Sequence, residues 1–142
     1  MRTNFITCLL FAIGFLMVGH DSQAQSAVYI YKNPNTGEGD YMFMYSMPSV
    51  ADAEFMAQEK LIELGYAEEL VRKQASSGKK GYGMIIKSEV SNKYGRKFIV
   101  FGASVGCKTK EQAVREALQN LKEFNPEWDG EEHEEVFKFL DQ

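Results

Sequence analysis

Two segments of this chain, sixty residues apart, carry one helical pattern, and that repetition constrains the fold more than any other feature. Ser49-Val50-Ala51-Asp52-Ala53 opens the first segment and Thr109-Lys110-Glu111-Gln112-Ala113 the second. With that offset Ala53 matches Ala113, Ala57 matches Ala117 and Leu61 matches Leu121. Ala53, Met56, Ala57, Leu61 and Leu64 recur at helical spacing and form one apolar stripe. Ala113, Val114, Ala117, Leu118 and Leu121 form the other. Both segments begin with a hydroxyl residue suited to an N-cap, and Thr109 with Gln112 fits a capping box. Gly65 is placed to end the first helix.

Each helical segment follows two strand-like runs. Ala27–Lys32 and Asp40–Ser46 flank Asn33-Pro34-Asn35-Thr36-Gly37, where Pro fixes φ and Asn and Gly tolerate positive φ. Tyr82–Ser88 and Lys97–Ser104 flank a second polar turn with Ser91, Asn92 and Gly95. The expected fold is α+β. Two ββα repeats form a four-stranded, mainly antiparallel sheet, with two helices on one face and a short C-terminal helix over Glu131–Leu140. Ala67–Gln74 reads as an extension of the first helix, and residues 75–81 as a mobile loop.

The N-terminus adds a compartment. Arg2 precedes an uncharged apolar run from Phe5 to Val18, and Ser22-Gln23-Ala24 offers small residues where a signal peptidase reads. The run falls short of the roughly 20 residues a span needs. Residues 1–24 therefore read as a cleaved secretory signal, and 25–142 as a single exported domain with an acidic helical tail, periplasmic or secreted and without stable membrane insertion. Cys8 leaves with the signal, so Cys107 has no intramolecular disulfide partner, and stability must come from packing.

The chain carries a net charge of −4, unevenly spread. Residues 72–97 hold Arg72, Lys73, Lys79, Lys80, Lys87, Lys93, Arg96 and Lys97 against Glu89 alone, between two acidic flanks. This reads first as charge balance within the protein, and second as a basic surface for a protein partner. Nucleic acid does not suit an exported acidic chain.

Side-chain alternation nominates a binding face. Tyr29 and Tyr31 alternate with Val28 and Ile30; Tyr41, Phe43 and Tyr45 alternate with Met42 and Met44. With the aliphatic and Met set under the helices, Tyr29, Tyr31, Tyr41, Phe43 and Tyr45 share the opposite face. Such a platform would stack a glycan, grip a peptide or protein of the envelope, or form a homodimer. The second hairpin lacks the pattern, and its near-continuous apolar run, Met84-Ile85-Ile86 and Ile99-Val100-Phe101, suggests burial on both faces.

Catalytic chemistry finds little support. Cys107 lies just before the Thr109 N-cap, where a helix dipole favours a thiolate. Its one histidine partner in the exported chain, His133, sits in the acidic tail. Asn125–Gly130 starts like a calcium loop but has Val136 where the bidentate Glu belongs. No metal or cofactor is expected. The reading is a small, exported, non-enzymatic binding module. Its rivals are an interaction or inhibitor protein using residues 72–97, and a thiol-dependent enzyme centred on Cys107.

Overall fold

The computed structural model describes residues 25–142. The secretory signal expected over residues 1–24 lies outside them. The described chain runs β1 (Gln25–Lys32), β2 (Gly39–Met47), α1 (Val50–Glu63), a single 3-10 turn (Glu68–Leu70), β3 (Val71–Ser77), β4 (Gly81–Ser91), β5 (Lys97–Cys107), α2 (Lys110–Phe124) and β6 (Glu134–Asp141).

The single four-stranded sheet does not form. Two separate three-stranded antiparallel sheets take its place, ordered β2-β1-β3 and β5-β4-β6. The helices lie on opposite outer faces. Ala57 and Leu61 of α1 pack on Tyr29, Tyr31 and Val71 of the first sheet. Ala113, Ala117 and Leu121 of α2 pack on Met84, Ile86 and Val100 of the second. Between the sheets, Val28 and Ile30 meet Ile85, Phe101 and Ala103, so the molecule is layered helix, sheet, sheet, helix. Both hairpins present apolar side chains on both faces. Stacking buries the second face, which edge-to-edge pairing would have left in water.

Two further corrections follow from the third strands. The C-terminal helix expected over Glu131–Leu140 is strand β6, paired with β4. Residues expected as helix extension and mobile loop instead contain β3, paired with β1. The repeating unit is thus ββαβ.

The duplication holds residue by residue. Val28 pairs with Phe43 and Ala75, as Ile85 pairs with Ala103 and Phe137. Equivalent positions therefore differ by 57 in the first strand (28 to 85), 60 in the second strand and helix (43 to 103), and 62 in the third strand (75 to 137). Both third strands carry a β-bulge at the same place, at Gln74 and at Val136. Both second strands carry an irregularity where a residue takes positive φ, Ser46 at 54° and Gly106 at 68°. The equivalent rings of Tyr41 and Phe101 meet edge to face at 5.6 Å, as a pseudo-twofold between the units requires of residues near its axis.

The caps form as the sequence specifies. Ser49 Oγ accepts from Asp52 N–H at 3.0 Å and Thr109 Oγ1 from Gln112 N–H at 3.1 Å. The Gln112 side chain reaches back to Lys108 N–H (3.0 Å). Gly65, at φ +94°, closes α1, its N–H donating to Ile62 O while Tyr66 N–H donates to Leu61 O. At the far end of α2, Lys32 Nζ donates to Asn125 Oδ1 (2.9 Å) and lies 4.6 Å from the Phe98 ring, a cation at the negative end of the helix.

Candidate functional site

The register separates the nominated aromatics. Tyr29 pairs with Met42, and Val28 with Phe43, so the tyrosines of β1 share a face with the methionines of β2. Tyr29 and Tyr31 are buried beneath α1, where Tyr31 stacks on Tyr66 at 4.1 Å. Tyr41 and Phe43 face the second sheet and are partly buried against it. Phe43 stacks on Phe137 at 4.1 Å and lies 5.6 Å from Phe139; Tyr45, 49% exposed, completes this group at the ends of β2 and β6. Of the five residues, Tyr45 is exposed, Tyr41 and Phe43 are half-buried, and Tyr29 and Tyr31 are buried.

The basic stretch spans β3, β4 and both adjoining turns, and Lys73 and Lys97 are paired with Glu54 (3.0 Å) and Glu89 (2.8 Å). Asn125, first residue of the calcium-like loop, is the buried C-cap of α2. Among the described residues no group of three or more His, Cys, Asp or Glu is placed to hold a metal. No helix among them is long and apolar enough to cross a membrane.

Cys107 is 1% exposed, and its Sγ lies 3.2 Å from Glu116 Oε2. Burial first, and then the Glu116 carboxylate, push the thiol up to about 11. The helix dipole is outweighed, and the thiol is protonated at neutral pH. A thiol-specific disulfide reagent is therefore expected to label the native protein slowly and the unfolded protein at once. The raised thiol also means that the folded state holds its proton longer than the unfolded state. The associated stability is present below pH 9 and lost as pH rises toward 11. Cys107→Ser should flatten a denaturation profile across that window; an unchanged profile would contradict the assignment.

A cleft of about 500 Å³ lies between α2 and β6. Tyr82, Met84, Val114 and Leu140 contribute its apolar wall, and Lys110, Glu111, Glu135 and Lys138 stand on its rim. Leu140 is 43% exposed there. Lys110 Nζ sits 5.9 Å from the centre of the Tyr82 ring. Lys138 and Glu135 form an exposed pair at 3.6 Å.

The first unit shows what is unusual about this cleft. There, α1 lies across all three strands of its sheet, whereas α2 lies mainly across β5 and β4. Glu54 of α1 closes the first unit: its Oε1 accepts from Ser76 Oγ at 2.7 Å and from Lys73 Nζ at 3.0 Å, tying helix to third strand. The equivalents of Glu54, Lys73 and Ser76 are Val114, Glu135 and Lys138. Valine makes no such tie, and the gap stays open. Its walls have also become apolar, with Tyr82, Met84 and Leu140 standing where the first unit has Gln25, Ala27 and Gly78. Sequence reasoning missed all four apolar wall residues as a site. The signal was the change from Glu54 to Val114 at the helical offset of sixty.

Comparison of the chain with protein-family models, with curated proteins and with solved structures finds no match.

Proposed function

We propose that this protein is a small, exported, non-enzymatic binding module whose ligand sits in the cleft between α2 and β6. One observation carries the reading. The two units share strand register and bulges, yet the gap that Glu54 shuts in the first is left open and lined with apolar side chains in the second. Solvated apolar surface costs roughly 25 cal/mol for each Å². A concave apolar site with a few polar groups on its rim is the common form of a small-molecule pocket, and about 500 Å³ falls within the usual range. The compartment rests on the leader-like residues 1–24.

The test uses the repeat itself. Val114→Glu places in the second unit the side chain that closes the first, facing Lys138. Titrating 15N-labelled protein with 1-octanol, an uncharged apolar probe, is expected to shift the amides of Tyr82, Val114 and Leu140. The Val114→Glu variant should remain folded, with a melting temperature no lower than the parent, and lose those shifts. Equal binding by parent and variant, or shifts confined to other surfaces, would remove the cleft as the site.

A further inference from the structure

The first unit also indicates what the cleft would hold. Its helix-to-strand gap is a carboxylate site filled from within: Glu54 sits there, hydrogen-bonded to Ser76 and ion-paired with Lys73. The Ser76 hydrogen bond, opposed by partial burial, heads the influences that lower the Glu54 carboxyl below its ordinary value. At the equivalent place in the second unit the helix brings only the short apolar side chain of Val114. The strand brings Lys138 in place of Ser76, and Lys110 stands over Tyr82 at the same rim.

We infer that the α2–β6 cleft takes a small apolar carboxylic acid, its chain against Tyr82, Met84, Val114 and Leu140 and its carboxylate between Lys138 and Lys110. The acid stands where Glu54 stands in the first unit. Glu111 and Glu135 share the rim. Glu135 competes for Lys138, but that pair is exposed and loose, so an incoming carboxylate exchanges one weak partner for another while its chain leaves water. This ligand class rests on the cleft being the binding site proposed above.

Three eight-carbon probes separate the two ideas: octanoate, 1-octanol and octylamine, each titrated into labelled protein at neutral pH. All three share the apolar chain. Octanoate is expected to bind roughly fivefold more tightly than octanol, and octylamine less tightly than either. Lys138→Gln and Lys110→Gln should each weaken octanoate severalfold and leave octanol unchanged. Glu135→Gln, which frees Lys138, should strengthen octanoate. Added salt should erode the octanoate advantage. If octanol shifts the cleft amides but octanoate binds no better, or octylamine binds best, the carboxylate inference fails and the cleft survives as an apolar site. If no probe shifts the cleft amides, both fail together.

Discussion

Gly102→Ala is expected to destabilise this protein by about 3 kcal/mol, lowering its melting temperature by roughly 10 °C. Two effects oppose each other. Replacing glycine in a strand normally stabilises by about 0.4–1 kcal/mol, because the unfolded chain has less freedom to lose. Here the added Cβ would overlap the Ala117 carbonyl oxygen and lie 2.5 Å from Leu121 Cβ and 2.8 Å from Leu121 N. Two of these atoms are backbone atoms of α2, so relief requires the whole helix to lift off β5. Overpacking of that kind costs 1–3 kcal/mol or more and outweighs the entropic gain. A chemical-denaturation midpoint equal to the parent's, or above it, would show that α2 does not rest on Gly102.

The same glycine helps explain why the two units differ. Its equivalent in the first unit is Met42, a partly buried side chain packed beneath α1. Glycine lets α2 sit directly on the backbone of β5, which biases the helix toward that edge of its sheet. β6, at the opposite edge, then lies largely uncovered, and Val114 does not reach across to it. The open cleft is thus linked to two positions, 102 and 114, one setting where the helix lies and the other leaving the gap untied.

The helices and the hairpins were legible in the sequence. Caps, an apolar stripe and turn residues are local signals, and Ser49, Thr109, Gly65 and the Asn33–Gly37 turn act as their chemistry predicts. The third strands were not legible, because each carries a bulge that breaks the two-residue alternation. β3 offers only Val71 and Ala75 as apolar residues, and Gln74 between them is the bulged position. In β6 the acidic run before Val136 imitates a solvated helix, and the bulge at Val136 leaves it and Phe137 both packed toward the first sheet. The aromatic face failed for a different reason. Alternation shows which residues of one strand share a face, but only register shows which face of the neighbouring strand they join. One pairing, Tyr29 with Met42, sends the β1 tyrosines beneath α1. At Cys107 the helix dipole is the local signal, and it is outweighed by burial and by Glu116, which α2 brings near. The cleft required β3 and β6 to be aligned with each other, which no local signal did.

Asn120→Ala is expected to cost about 3 kcal/mol, the other large effect, because Asn120 stands at the seam between the two units. The outer edges of β3 and β5 lie near each other without pairing as strands. Side chains supply the missing hydrogen bonds. Asn120 Oδ1 accepts from Ala103 N–H at 2.9 Å and from Gln74 Nε2 at 2.6 Å, while its Nδ2 donates to Gln74 O at 3.3 Å. Gln74 Nε2 also donates to Phe101 O at 3.0 Å. The bulge at Gln74 is what turns this side chain across the seam. Alanine at 120 would strand the Ala103 N–H and the Gln74 carbonyl, each costing about 1–3 kcal/mol where water does not reach. Gln74→Ala should cost less. It strands the Phe101 carbonyl, but it also removes Gln74 Oε1, a buried oxygen that finds no partner among the described residues. Asn120→Asp keeps both accepted bonds and loses the donated one, so it should fall between the parent and Asn120→Ala. A double-mutant cycle on positions 74 and 120 should show coupling of about 1–2 kcal/mol. Additive costs would mean that the two side chains act separately and that apolar stacking alone holds the units together.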